Sequence, residues 1–299
     1  MSDGTFTKQF GSSERENHDS TSFYTRNLYN NKDLRHKNKI EYKENEIPKE
    51  NIDKFFCKSS ESMDELPDKS VHLMVTSPPY NVGKEYDEDY SLEQYLKLLK
   101  NVFKETYRVL VPGGRVCINI ANLGRKPYIP LHSYIIDIMN SLDYFMRGEI
   151  IWKKNMGSGG CAWGSWKSAS NPVLRDQHEY ILVFSKQTMG RPNPYDREDT
   201  IKKEEFLKFT QSIWKMSPES ANKVGHPAPF PVELPYRCIQ LYTFKNEVVL
   251  DPFAGVGSTA LGAKKSNRNF VGYEIKEDYI KKAKKRVKNY QKQLELKFE

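Results

Sequence analysis

The sequence of 299 residues has little cysteine, and its four cysteines lie far apart. Cys57, Cys117, Cys161 and Cys238 form no CxxC pair, which argues against a zinc site and against a disulfide framework. The N-terminus has no apolar signal core, and no apolar run is long enough to span a bilayer. We therefore expect a cytoplasmic protein that binds no metal and has no membrane partner.

The chain has fewer acidic than basic residues. Its 47 Lys and Arg residues against 39 Asp and Glu residues give a formal net charge of +8. A basic protein rich in aromatic residues suits a polyanionic partner such as nucleic acid. A surface generally rich in lysine gives the same excess, so charge alone leaves the partner open.

Strand-like and helix-like segments alternate after a polar start. Residues 1–48 show little apolar periodicity and predict a flexible or loosely docked N-terminal arm. The alternation that follows is typical of a parallel sheet with crossover helices, so we expect a doubly wound α/β domain. The predicted helices begin near Leu92, where Ser91 and Gln94 form a capping box, and then cover 129–142, 230–244, 258–265 and 276–297. The predicted strands are 53–58, 71–77, 114–120, 144–153, 179–185, 247–253 and 269–275.

Two stretches interrupt this alternation. Residues 155–177 form a loop rich in Gly, Ser and Trp, and residues 187–225 form a weakly periodic insertion. Irregular segments of this length inside a compact domain are usually functional or disordered.

A glycine-rich turn follows the strand that ends at Asp251. In Asp251-Pro-Phe-Ala-Gly-Val-Gly-Ser-Thr259, the glycines let a ligand approach the backbone, and Ser258 stands where it can cap a helix. Glu274 ends the next strand, where an acid accepts hydrogen bonds from ribose hydroxyls. No third glycine falls at GxGxxG spacing and no Gly-Lys-Ser/Thr sequence follows, so a nucleoside ligand is favoured over a dinucleotide or a nucleotide phosphate.

Three motifs resemble those of DNA amino-methyltransferases of the beta group. The glycine turn is similar to their S-adenosylmethionine loop, and Thr76-Ser-Pro-Pro-Tyr80 is similar to their catalytic motif in its cytosine-N4 form. The catalytic motif comes first, which is the permuted order of that group. His226-Pro-Ala-Pro-Phe-Pro231 resembles a further cofactor-contacting motif. The resemblance covers roughly residues 50 to 290.

The resemblance implies a Rossmann-like methyltransferase fold with a seven-stranded sheet, in which 179–185 is the one antiparallel strand. It implies a catalytic half at 49–186 with a DNA-contacting loop at 155–177, a target-recognition insertion at 187–225, and a cofactor-binding half at 226–299. Ser59 stands where relatives carry an acid for the adenine amino group, so Ser59, its neighbour or Asp64 would replace that contact. The cofactor-binding residues implied for S-adenosyl-L-methionine are Asp251, Phe253, Ala254, Gly255, Gly257, Ser258, Thr259, Glu274, Phe230, Pro229 and Ser59.

The catalytic residues expected from this motif are Ser77, Pro78, Pro79 and Tyr80. An exocyclic base amine must become more tetrahedral to attack a sulfonium methyl group, and acceptors aimed at its hydrogens favour that geometry. Ser77 Oγ and the Pro78 carbonyl can be such acceptors, and the prolines hold the carbonyl rigidly. Tyr80 can stack on a base that has left the duplex. No cysteine follows a proline, so cytosine C5 chemistry is not expected.

The loop 155–177 and the strand before it carry the candidate DNA contacts. Basic side chains there suit phosphates, and the tryptophans can stack on a base or fill the gap that a flipped base leaves. Alternatively, both tryptophans pack inside and anchor the loop. His178, Asp176 and Glu179 cluster at the start of a strand and are interpreted as structural. The candidate DNA-binding residues are Lys153, Lys154, Trp163, Trp166, Lys167 and Arg175.

The leading hypothesis is a site-specific methyltransferase that modifies cytosine N4 in double-stranded DNA. Such enzymes commonly belong to restriction–modification systems, so the resemblance implies a cognate restriction endonuclease that acts separately. Ser77 in place of Asp favours cytosine N4 over adenine N6, which stays the alternative. An inactive nucleic-acid-binding protein is disfavoured by the intact motifs, and a nicotinamide oxidoreductase by the missing glycine. The sequence leaves monomer and homodimer open.

Overall fold

The computed structural model describes residues 26–29, 41–80, 89–124, 127–155, 164–219 and 230–295. The chain divides into two units, Met1–Glu41 and Tyr42–Glu299. In the first unit the structure describes a single turn of 3₁₀ helix, Asn27–Tyr29. The motifs singled out in the sequence all belong to the second unit.

Eight described strands of the second unit form a single sheet, in the order β1-β8-β7-β2-β3-β5-β4-β6. β5 runs antiparallel to both of its neighbours, β3 and β4, whereas the other described pairs are parallel. This confirms the α/β methyltransferase-like sheet with one antiparallel strand near residues 179–185. The strands are β1 Lys54–Phe56, β2 Val71–Thr76, β3 Leu110–Ile120, β4 Tyr144–Lys154, β5 His178–Lys186, β6 Ile213–Met216, β7 Val248–Asp251 and β8 Asn269–Tyr273.

Helices pack on both faces of this sheet. At the start of the first helix, the backbone N–H of Gln94 donates to Ser91 Oγ, and the Gln94 side chain accepts from the Ser91 N–H. This capping box confirms the predicted beginning of that helix. A 3₁₀ turn, Lys49–Asn51, precedes β1. The α-helices are α1 Leu92–Val109, α2 Leu131–Ser141, α3 Lys203–Phe209, α4 Glu233–Tyr242, α5 Ser258–Lys265 and α6 Glu277–Glu295.

Each face of the sheet buries its own apolar core. Val116, Ile118 and Ile120 of β3 pack on the face covered by α1 and α2. Cys117, between them in sequence, points to the face covered by α4, α5 and α6. Because successive side chains of a strand point to opposite faces, the buried strands appear in the sequence as nearly continuous apolar runs.

The third strand begins earlier than the sequence predicts. β3 starts at Leu110, directly after α1, rather than at Gly114. The pairing advances from Val71↔Leu110 to Leu73↔Arg115, so the extra residues of β3 form a bulge. Gly113 lies in this bulge at φ +76°. Pro112 has no backbone N–H to donate to a neighbouring strand, and a bulge tolerates this lack. The Pro-Gly sequence therefore bends the strand without preventing its pairing.

An eighth strand lies within the predicted insertion 187–225, so the expectation of seven strands was one short. β6 is four residues long and pairs in parallel with β4 at the edge of the sheet. Its Trp214 is buried and donates Nε1–H to the carbonyl of Phe209, at the end of α3. Part of the insertion thus extends the sheet, which its weak periodicity did not indicate.

No helix in the described ranges is both long and apolar enough to cross a membrane.

Candidate active site

A cavity of about 260 Å³ opens at the carboxyl end of the parallel strands. Proteins of this architecture bind their ligands at that edge, because the loops after neighbouring strands meet there. The cavity brings together the Ser-Pro-Pro-Tyr corner, part of the glycine turn and the acid after β8. Its lining includes Ser59, Ser77, Pro78, Pro79, Tyr80, Phe230, Phe253, Ala254, Gly255, Ser258 and Glu274.

The glycine turn connects β7 to α5 through two left-handed residues. Gly255 has φ +49° and Gly257 has φ +78°, which favour glycine. A Cβ atom on Gly257 would lie 3.0 Å from the Cβ of Ala283, so this glycine is also needed for the packing of α6. Gly257 is the N-cap of α5 without any side-chain capping bond, so the expectation that Ser258 caps this helix was wrong.

Glu274 follows β8 and holds the glycine turn. Its Oε2 accepts from the N–H of Gly255 at 2.9 Å, and its Oε1 accepts from the N–H of Lys276 at 2.9 Å. Burial raises the pKa of this half-buried carboxyl, and the backbone donors partly offset that rise. A carboxylate offers about four acceptor positions, so these backbone N–H groups, with that of Ile275, still leave room for a hydroxyl group of a ligand in the cavity.

Asp251 lies beneath the turn, at the end of β7, and does not line the cavity. Its Oδ1 accepts from Thr76 Oγ1 at 2.6 Å and from the N–H of Phe253 at 3.1 Å. Its Oδ2 is buried and makes no hydrogen bond within the described part of the chain. Burial raises the pKa of this carboxyl to about 6. Asp251 therefore connects the glycine turn to the strand that carries the Ser-Pro-Pro-Tyr corner.

Two other predicted cofactor residues, Gly257 and Thr259, are likewise absent from the cavity wall. Thr259 is buried, and its Oγ1 donates to the carbonyl of Val75 in β2. Ser59 lines the cavity and donates Oγ–H to Glu61 at 3.3 Å. Pro229, with most of the His226–Pro231 motif, lies outside the described residues.

The Ser-Pro-Pro-Tyr corner begins where β2 ends. Ser77 Oγ and Tyr80 Oη lie 3.3 Å apart, and Tyr80 donates its hydroxyl hydrogen to Glu179 Oε2 at 3.1 Å. Burial raises the pKa of the Tyr80 phenol well above its ordinary value, and the nearby Glu179 charge raises it further. Tyr80 is therefore a neutral hydrogen-bond donor at ordinary pH.

Two polar residues lie beside this corner: sequence reasoning missed Asn119 and named Glu179 without connecting it to Tyr80. Asn119 in β3 donates Nδ2–H to Glu179 Oε2 at 2.6 Å, and its Nδ2 lies 3.4 Å from Ser77 Oγ. Both Asn119 and Glu179 are buried, and neither lines the cavity. Glu179 was interpreted as structural, but it bonds directly to Tyr80. The available signal was a polar residue at an inward-facing position of an otherwise apolar strand.

The candidate DNA contacts fall into two groups. Lys154 is engaged with Glu179, from which its Nζ lies 2.5 Å, whereas Lys153 is exposed. Trp166 is 65% exposed, which excludes for this residue the alternative that it packs inside. Lys167 Nζ lies 5.8 Å from the centre of the Trp166 ring, and Arg175 is exposed. Trp163 lies outside the described residues.

Among the described residues, no group of three His, Cys, Asp or Glu side chains could hold a metal ion.

The fold and the cavity define the class of S-adenosylmethionine-dependent methyltransferases. Residues 71–285 match the N6/N4 DNA methylase family. The chain is a member of this family, and it is an S-adenosylmethionine-dependent enzyme that methylates DNA.

Two relatives resemble most of the chain. The type II methyltransferase M.MjaI of Methanocaldococcus jannaschii is 33% identical over 259 residues, covering 71% of this chain and 84% of the relative. M.MthZI of Methanothermobacter thermautotrophicus is 31% identical, covering 76% of this chain and 74% of the relative.

Solved structures agree with this assignment. A DNA modification methylase of Thermus thermophilus, complexed with S-adenosyl-L-methionine, is 30% identical with a TM-score of 0.63, covering 79% of this chain and 93% of that chain. The cytosine-N4-specific PvuII DNA methyltransferase shares the fold with a TM-score of 0.60 at 19% identity, covering 77% of this chain and 84% of that chain. The residues present fit the cofactor, since Glu274, Gly255 and apolar groups line one cavity.

Proposed function

We propose that this enzyme transfers the methyl group of S-adenosyl-L-methionine to the exocyclic N4 amine of cytosine in double-stranded DNA. The observation that carries the proposal is the Ser77 hydroxyl at the head of the Pro-Pro-Tyr corner, in one cavity with Glu274 and Gly255. A neutral hydroxyl is an acceptor suited to an amine. The target base has to leave the duplex, because a base amine stacked inside the helix cannot reach into a cavity.

The protein's contribution is position and hydrogen-bonding direction. The cofactor supplies an activated methyl group with a good leaving group, so much of the catalysis comes from alignment of the amine with that group. Ser77 Oγ and the Pro78 carbonyl accept the amine hydrogens and increase the electron density on nitrogen. Tyr80 stacks on the base and limits its rotation.

The cofactor is bound by residues of the cavity other than the Ser-Pro-Pro-Tyr corner. Glu274 accepts from the ribose hydroxyls with the lone pairs that Gly255 and Lys276 leave free. Phe253 and Phe230 bound the apolar part of the site. Ser59 is the candidate for the adenine contact, because it lines the cavity at the end of β1.

DNA binding is assigned to the exposed side chains of the segment 164–177 and to Lys153. Trp166 and Lys167 are exposed together, so a stacking group and a phosphate-binding group lie side by side. The insertion 187–225 would share in target recognition. Methylation at a fixed sequence suits the modification half of a restriction–modification system, with a nuclease that acts separately.

The test is to methylate unmodified plasmid DNA with the purified protein, digest it to nucleosides and identify the product by mass. N4-methylcytosine is expected. N6-methyladenine as the sole product would replace cytosine by adenine as the target, since an acceptor beside an amine serves either base.

A further inference from the structure

Four polar side chains from neighbouring strands meet behind the catalytic corner. Ser77 follows β2, Asn119 lies in β3, Glu179 in β5, and Lys154 ends β4. These strands are consecutive in the sheet, in the order β2-β3-β5-β4. Ser77 lines the cavity, whereas Glu179 does not. Among the described residues, Glu179 is therefore hydrogen-bonded to the cavity wall only through Tyr80, which lines it.

The Glu179 carboxylate receives three donors. Lys154 Nζ lies 2.5 Å from Oε1, while Tyr80 Oη and Asn119 Nδ2 donate to Oε2 at 3.1 and 2.6 Å. An ionised carboxyl group has no hydrogen to give, so every hydrogen bond that it makes must be donated by its partner. The hydroxyl hydrogen of Tyr80 is consequently committed to Glu179.

This commitment fixes the direction of the next hydrogen bond. Tyr80 Oη has given up its only hydrogen, so in its 3.3 Å contact with Ser77 it can only accept. In that contact the Ser77 hydroxyl donates its hydrogen to Tyr80, so this hydrogen is not directed at a ligand in the cavity. Asn119 Nδ2, 3.4 Å away, can occupy at most one of the two lone pairs on Ser77 Oγ. At least one lone pair of Ser77 is left for the cavity.

We propose that Glu179 is a positioning residue that sets the direction of this chain of hydrogen bonds, so that Ser77 presents a lone pair rather than a hydrogen to the base amine. The inference rests on the function proposed above, because it assumes that Ser77 accepts from an exocyclic amine. It assigns no chemical step to Glu179, which touches neither base nor cofactor.

Replacing the carboxylate at position 179 by an amide would reverse the direction of the hydrogen bonds through Tyr80 and Ser77. The side chain of Glu179→Gln has the same shape, but its NH₂ group can donate to Tyr80 Oη. Tyr80 would then donate to Ser77, and Ser77 would direct its own hydrogen into the cavity. When a base amine enters the cavity, the Ser77 hydroxyl hydrogen would then face an amine hydrogen. The expected loss of kcat is about ten- to hundredfold, as for other groups that orient a reacting residue.

The experiment measures kcat, KM for unmethylated plasmid DNA and S-adenosylhomocysteine affinity for the wild type, Glu179→Gln, Tyr80→Phe and the double variant. Glu149→Gln is the matched control, because Glu149 is exposed on the neighbouring strand β4. We expect Glu179→Gln to lower kcat with KM and cofactor affinity changed less than about threefold. Tyr80→Phe should lower kcat similarly, and most of the effect of Glu179→Gln should vanish in the Tyr80→Phe background.

A kcat of Glu179→Gln within threefold of the wild type would overturn the inference while leaving the proposed function intact. An equally large loss in both backgrounds, or a loss confined to KM for DNA, would also overturn it. If Glu179→Gln does not fold, the Tyr80→Phe variant tests the inference. Full activity of this variant, which lacks the phenol oxygen, would contradict a chain of hydrogen bonds through Tyr80. A wild type that methylates no exocyclic amine removes the proposed function itself.

Discussion

Buried polar and charged groups find different numbers of partners at the two ends of the sheet. At the amino end, Glu247 is buried and contacts Arg191 at 2.5 Å and Arg197 at 3.1 Å. His72 Nδ1 accepts from the N–H of Val248, and its Nε2 lies 3.1 Å from Glu44. At the carboxyl end, acceptors such as Asp251 Oδ2 and Asn119 Oδ1 are buried with no partner within the described residues.

The difference separates a network of paired charges from a group of buried acceptors that are only partly paired. Burial pushes the pKa of Glu247 up, but the bonds to Arg191 outweigh it and hold that pKa below its ordinary value. The same balance, with His72 and Arg197 as partners, lowers the pKa of Glu44. The pKa of Asp251 is raised instead, because burial is not outweighed. Changes at the amino end should therefore alter stability, whereas changes at residues that line the cavity at the carboxyl end should alter binding and turnover.

The largest expected effect is on folding. Glu247→Ala leaves two arginines and a histidine without their shared carboxylate, and should lower the free energy of unfolding by about 3–5 kcal/mol. Urea unfolding measures this. Glu198→Ala, which removes an exposed ion pair with Lys245, should change stability far less, because solvent screens that pair. Similar losses for both variants would contradict the stabilising role of the buried network around Glu247.

Tyr80→Ala should reduce turnover with little effect on folding. The variant loses base stacking worth about 1–3 kcal/mol and the partner of Ser77, so kcat should fall about a hundredfold or more. Steady-state methylation measures kcat, and calorimetry with S-adenosylhomocysteine should show cofactor affinity near normal. Tyr128→Ala, at an exposed tyrosine, is the control. Comparable loss of cofactor affinity would mean that Tyr80 belongs to the cofactor site.

Asp251 should make stability depend on pH. Its pKa rises from 3.8 unfolded to about 6 folded, so the folded state holds the proton more tightly. The cost of ionisation, about 3 kcal/mol, is absent below pH 3.8 and fully present above pH 6. Relative to Asp251→Asn, the wild type should lose stability as pH rises between these values. A difference that does not vary with pH would contradict this.

Glu274→Gln should weaken cofactor binding by about tenfold or more, since a hydrogen bond to a charged group is worth about 1.5–3 kcal/mol. Its amide oxygen can accept from Gly255 or from Lys276, but its NH₂ group opposes the other N–H. Calorimetry with S-adenosylhomocysteine gives the affinity. Glu277→Gln, at an exposed site in α6, should bind normally, and equal affinities for both variants would remove Glu274 from the site.

Much of this site could be predicted from local sequence. The beginning of α5 follows from the glycine turn before it, and the corner at Ser77 follows from two prolines after an apolar strand. Those signals are local, because a turn or a strand end depends on a few adjacent residues. Asn119 and Glu179 could not be assigned this way. They lie 60 positions apart and meet because β3 and β5 are neighbours in the sheet.

The network around Glu247 at the amino end could not be predicted from the sequence either, because its members are far apart along the chain. Glu44 and Arg197 are separated by 153 positions. The strand β6 is too short for its alternation of exposed and buried residues to stand out, and its pairing with β4 is what defines it. Long-range pairing thus decided both the features that sequence reasoning missed at the site and those it missed in the fold.

The most direct test of the central claim is a single-turnover reaction with methyl-labelled S-adenosylmethionine and unmethylated duplex DNA, comparing the wild type with Ser77→Ala. With both proteins saturated by cofactor, the label should appear in N4-methylcytosine, and the variant should transfer it at least about tenfold more slowly, because it lacks one acceptor for the amine. Label at cytosine C5, or an undiminished rate in Ser77→Ala, would contradict the account.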